Sequence, residues 1–96
     1  MIKIVADNFV KADSKKKFLE IAEKLIDATR KETGNISYFL HEDLKDENHL
    51  TFMEEWQDEK AIKEHNISEH FTEYVPQLAK YCEKPGTCFL YSKIDL

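Results

Sequence analysis

The stretch Glu54-Glu55-Trp56-Gln57-Asp58-Glu59-Lys60-Ala61-Ile62-Lys63-Glu64-His65-Asn66-Ile67-Ser68-Glu69-His70-Phe71 leaves an apolar strand and runs into helix. It holds the only tryptophan, two of the four histidines and the densest carboxylates of the chain. Alternate residues of a strand share a face, so Leu50, Phe52, Glu54 and Trp56 line up together. A carboxylate is thereby set between two large aromatics on a face that reads as buried. Such a group needs a partner or an elevated pKa. A histidine from the following segment, His65 ahead of His70, is expected to share its hydrogen bond. The plainer alternative is a structural ion pair that pins strand to helix.

Working back toward the N-terminus, His49 to Trp56 is a strand, and Lys45-Asp46-Glu47-Asn48 before it is turn-forming. Ile36, Tyr38 and Leu40 alternate with Ser37, Phe39 and His41, so the two runs form a hairpin. Earlier still, Phe18, Ala22, Leu25 and Thr29, with Leu19 and Ile26, keep helical spacing. Asp13 or Ser14 caps that helix, and Gly34 ends it, giving a helix over about 14–32. Residues 2 to 10 alternate with both faces at least partly covered. Within that strand Asn8 is the odd member of the face Ile2, Ile4, Ala6, Val10.

Toward the C-terminus, a short helix is expected from Asp58 to His65. Ser68 caps a second segment that turns Phe71, Val75, Leu78 and Cys82 inward. Pro76 removes a backbone donor and should kink or split it. Lys84-Pro85-Gly86 signals a turn, and Cys88 to Ile94 is a last strand.

The order strand, helix, strand, strand, helix, strand is that of an α+β, ferredoxin-like βαββαβ domain. Its antiparallel four-stranded sheet carries helices on one face. The chain of 96 residues fits one domain over 1–96, with no linker or repeat. Val5, Phe9, Phe39 and Met53 lie on the sheet face away from Trp56. An apolar second face needs a cover, and a second copy of the sheet supplies it, so a homodimer is expected.

Composition excludes several classes. A net charge of −5 argues against nucleic acid or an anionic membrane surface as partner. No apolar run is long enough for a membrane span. Met1 to Val10 alternates and carries Lys3 and Asp7, unlike a signal peptide, so a cytoplasmic location is expected. Cys82 and Cys88 match no zinc or redox spacing and read as free thiols. Two glycines leave no phosphate-cradling loop. His65 and His70 are five apart, a poor helical spacing for one face, and His41 and His49 fall on the hairpin, so no metal site is expected.

The hairpin followed by Glu54-x-Trp56, then Ala61, His65, Ser68 and His70-Phe71, resembles the antibiotic biosynthesis monooxygenase domain family, whose small bacterial members include quinol monooxygenase-like proteins. The likeness covers nearly the whole chain and implies a dimeric α+β barrel. One branch of the wider superfamily degrades haem with an asparagine on the first strand, a tryptophan ending the third, and an axial histidine on the second long helix. Asn8 and Trp56 match two of these positions, but Val75 falls where the histidine belongs.

The resemblance thus implies a cofactor-independent monooxygenase taking dioxygen and a small aromatic such as a quinol or polyphenol. Such chemistry needs an apolar pocket, a base and donors for an oxyanion. Trp56, Phe52, Tyr38 and Phe71 are the expected aromatic wall. Glu54, His65 and His70 are the candidate bases, and Asn8 the candidate donor. The alternatives are a non-oxidative isomerase or a ligand-binding dimer of the same fold. A phosphorylated substrate is less favoured, because Arg30 is the only arginine.

Overall fold

The computed structural model describes residues 1–96. Its elements are β1 (Ile2–Val10), α1 (Lys15–Thr29), β2 (Asn35–Asp43), β3 (Asp46–Trp56), α2 (Glu59–Asn66), α3 (Glu69–Ala79), β4 (Cys82–Lys84) and β5 (Cys88–Ser92). The sheet runs β2-β3-β1-β4, and β5 also pairs with β1. All pairings are antiparallel. This is the expected α+β ferredoxin-like arrangement, with one change. The last strand is broken into β4 and β5, both laid along β1 at different levels. The link between them passes so close to Asp7 that a side chain at Gly86 would strike the Asp7 carbonyl.

The core forms where the sheet meets the helices. Ile4 and Val10 from β1, Leu50, Phe52 and Trp56 from β3, and Tyr38 from β2 pack beneath Phe18, Ile21, Ala22 and Leu25 of α1. Leu78 of α3 and Ala61 and Ile62 of α2 complete it. The alternation in β3 is as its sequence requires: Leu50, Phe52, Glu54 and Trp56 are all buried, and Met53 is exposed.

Several local expectations need correction. Helix α1 ends at Thr29, short of Glu32, with Arg30 as its C-cap. Ser14 occupies the N-cap but makes no capping hydrogen bond; its hydroxyl donates to Asp13 instead. Gly34 has no positive φ, so it is no left-handed cap. It is a close-approach residue, because a Cβ there would collide with Ala61 of α2. A shifted register between Asn35 and Ser37 takes Ile36 out of the alternation and exposes it. Helix α3 runs past Pro76 unbroken, and the one break in this region is the expected one before the Ser68 cap. Cys82 is not on the helix at all but opens β4. His41 is exposed, whereas His49 is half-buried, stacked on Phe9 and bonded to Asp43. Cys82 and Cys88 are free thiols. No helix is long and apolar enough to cross a membrane.

Candidate active site

A cavity of about 790 Å³ lies between the sheet and α3. Strand register builds its floor. Tyr38, Glu54 and Ile4 stand side by side across β2, β3 and β1, and Phe52, Ala6 and Cys88 form the next row. Asn8 closes the row beyond, opposite Leu50. Phe71, Val75 and Leu78 of α3 make the roof, and His65 of α2 closes one end. The segment from Cys82 to Gly86 borders the mouth. These residues meet because both helix faces and the inner sheet face are apolar and must cover one another.

Glu54 is the one carboxylate on this floor, and only 5% of it is exposed. Burial pushes its pKa up to about 7. The Trp56 indole works against this by donating Nε1–H to Glu54 Oε1 at 2.9 Å, while the nearby Glu32 charge adds to the rise. The expected partner was a histidine; the structure supplies the tryptophan two residues on. The reason is geometric, since residues two apart on one strand face are neighbours without any chain reversal. Trp56 is therefore not a cavity wall residue. It is fully buried behind Glu54, with its only donor committed.

Tyr38, Phe52 and Phe71 do line the cavity. The Tyr38 phenol is held protonated by burial, with the Glu54 and Glu32 charges acting in the same direction. Beneath it, the buried Thr29 hydroxyl approaches the phenol without a well-aligned hydrogen bond. Asn8 lines the cavity too, but its Nδ2 donates to the Leu50 carbonyl at 3.2 Å and to the Ala6 carbonyl at 3.5 Å. Its unengaged atom is Oδ1, so it offers an acceptor where a donor was expected.

His65 reaches the cavity, but His70 does not. Both turn to a residue that sequence reasoning missed, Glu32. His65 Nδ1 lies 2.6 Å and His70 Nε2 2.8 Å from the same oxygen, Glu32 Oε2. The spacing of five residues would separate the rings on one continuous helix. The chain instead breaks between them, where Ser68 accepts from Phe71 N–H and donates to the His65 carbonyl. That turn swings both rings toward the α1–β2 connection. Trp56, Phe71 and Tyr38 enclose the His65 ring, with centroids 4.5, 5.0 and 5.6 Å away. Burial lowers the His65 pKa, although the bond to Glu32 opposes the shift. Nothing in the periodicity marked Glu32; its only signal was a carboxylate in the turn just before Thr33-Gly34.

Arg30 is turned away from the cavity. Its Nε donates to the Tyr38 carbonyl, and its guanidinium lies over the exposed Phe39 ring. Val75, where the resemblance to haem-degrading proteins would put a ligand, lines the roof with an apolar side chain.

Comparison with known proteins places this geometry in a family. The model for antibiotic biosynthesis monooxygenases matches residues 1–77. The Bacillus subtilis protein named "Putative monooxygenase YcnE" is 39% identical over 75 residues, covering 78% of this chain and 79% of that protein. A conserved protein from Methanosarcina mazei Go1 has a crystal structure that superposes with a TM-score of 0.95 at 35% identity, over 97% of this chain and 92% of the other. A crystal structure of an antibiotic biosynthesis monooxygenase gives the same TM-score at 34% identity, over 99% and 100% of the two chains. The chain belongs to the antibiotic biosynthesis monooxygenase family.

Proposed function

We propose that the cavity binds a small hydroxylated aromatic, a quinol or polyphenol, and promotes its oxygenation by dioxygen without a resident redox cofactor. The observation that carries this reading is Glu54: a desolvated carboxyl, with its pKa near 7, on the floor of a mostly apolar cavity. A base is most effective when its pKa lies near the working pH. Glu54 takes the phenolic proton, and the resulting anion is electron-rich enough to reduce dioxygen directly. One oxygen atom enters the ring as hydroxyl and the other leaves as water, with the ring supplying all the electrons and ending as a hydroxyquinone. Tyr38 and Phe52 beneath the substrate and Phe71 above it would hold the ring, and the protonated Tyr38 phenol would donate to its oxygen. The apolar lining favours an aromatic over a charged sugar phosphate, and the single arginine is engaged at the sheet edge.

The same reading takes two copies joined through the outer sheet face, where Phe39 and Met53 are 52% and 43% exposed.

The test is oxygen uptake by chelator-treated protein with a panel of quinols and polyphenols, with product masses followed. We expect substrate-dependent uptake, and a fall in kcat of about 100-fold or more in Glu54→Gln, the scale of a lost general base. No uptake with any member of the panel, or full activity in Glu54→Gln, would overturn the reading.

A further inference from the structure

We infer that Glu32, His65 and His70 form a binding site for one divalent zinc-class ion. The inference does not depend on the proposed oxygen chemistry. Glu32, 33 and 38 residues before the two histidines, brings one carboxylate oxygen to two imidazole nitrogens from consecutive helices, with all three donor atoms within 4.8 Å of one another. A histidine pair with a single carboxylate is a set used for zinc, which takes nitrogen and oxygen at about 2.0–2.2 Å in a tetrahedron. Tetrahedral neighbours then lie roughly 3.3 Å apart. The present oxygen–nitrogen separations of 2.6 and 2.8 Å would widen by roughly 0.5–0.7 Å to admit an ion at those bond lengths.

The site is built rather than incidental. His65 is held in its aromatic enclosure and its side chain is 3% exposed, so its ring orientation does not depend on the ion. Glu32 sits in a turn fixed on both sides, its N–H donating to the Thr29 carbonyl and its carbonyl accepting from Asn35 N–H. His70 and Glu32 are 19% and 17% exposed at the side chain, which gives the ion an entry path and a fourth position open to water. The ligands come from the α1–β2 turn, the end of α2 and the start of α3. A bound ion therefore ties these three segments together behind His65, which closes one end of the cavity. The sequence concealed the set because the two histidines lie on different helices.

The experiment uses untagged, chelator-stripped protein titrated with Zn²⁺ by calorimetry and with Co²⁺ by visible absorption. We expect one ion per chain and the intense visible bands of four-coordinate Co²⁺. His70→Gln keeps a donor for Glu32 but removes the imidazole, so it should fold with an unchanged circular dichroism spectrum and bind at least tenfold more weakly. Glu32→Gln should weaken binding similarly, whereas His41→Ala, on the exposed hairpin, should leave it unchanged. If no saturable binding appears below about 100 μM, some 5–6 kcal/mol of affinity, the cluster is a hydrogen-bonded brace and the inference fails. Undiminished binding in a well-folded His70→Gln protein would overturn it equally.

Discussion

Glu54 carries a cost that its neighbours only partly offset. Its folded-state pKa of about 7 lies above the ordinary 4.5, so the folded protein holds this proton more tightly than the unfolded chain does. Stability is therefore lost as pH rises from about 4.5 to 7 and is flat beyond, with a full loss on the order of 3 kcal/mol. Glu54→Gln removes the ionisation. We expect its melting temperature to exceed the parent's above pH 7, and the gap to narrow toward pH 5. Melting curves at both pH values check this without any substrate. A variant that melts lower at every pH would show that the carboxylate itself holds the floor together. Burial of this residue was legible from strand alternation alone. Its partner was not, because a side-chain hydrogen bond depends on rotamers that alternation does not specify.

At the scale of elements, the break between α2 and α3 does most to shape the site. Ser68 caps α3 through its contact with Phe71 N–H, and its hydroxyl also satisfies the His65 carbonyl at the end of α2. Removing a capping hydroxyl costs about 1 kcal/mol. Ser68→Ala should therefore lower stability by about that amount in chemical denaturation, with an unchanged m-value. The Ser68 cap was readable in the sequence; Asp58, expected as the first residue of the short helix, instead caps α2 by accepting from Ala61 N–H. The effect of the break was not readable. It brings two rings together that helical spacing would hold apart. Gly34 shows the same limit: its place at a turn was plain, yet its reason is the approach of Ala61, a residue from a later helix. Gly34→Ala should destabilise by about 1–3 kcal/mol through that collision, which thermal melting would detect.

At the scale of the whole molecule, the sheet has helices on one face and an exposed apolar surface on the other. Phe39 and Met53 stand on it, and β5 adds Phe89. An exposed apolar face on a soluble domain marks an interaction site. A two-fold partner covering the same patch on each copy removes it, and each Å² removed contributes about 25 cal/mol before association costs. We expect sedimentation to show a dimer at micromolar concentration, and Met53→Glu to shift it toward monomer by burying a charge against its own symmetry mate. A stable parent monomer at that concentration would remove the interface.

The sequence by itself determined the order of elements as far as α3, the faces of β3 and the burial of Glu54 beside Trp56. Those follow from periods of two and about 3.6 residues, which are local properties of the chain. It also carried the family resemblance, because the Glu-x-Trp and His-Phe positions are contiguous with the hairpin and helix that frame them. Tertiary structure alone decided that Glu32 gathers both histidines, across separations of 33 and 38 residues. It decided too that Trp56 stands behind the cavity and Asn8 is bound to the backbone. Such meetings depend on the paths of turns and the packing of one element on another. No periodicity encodes them, because each partner's own stretch of chain is equally regular whether or not the other is near.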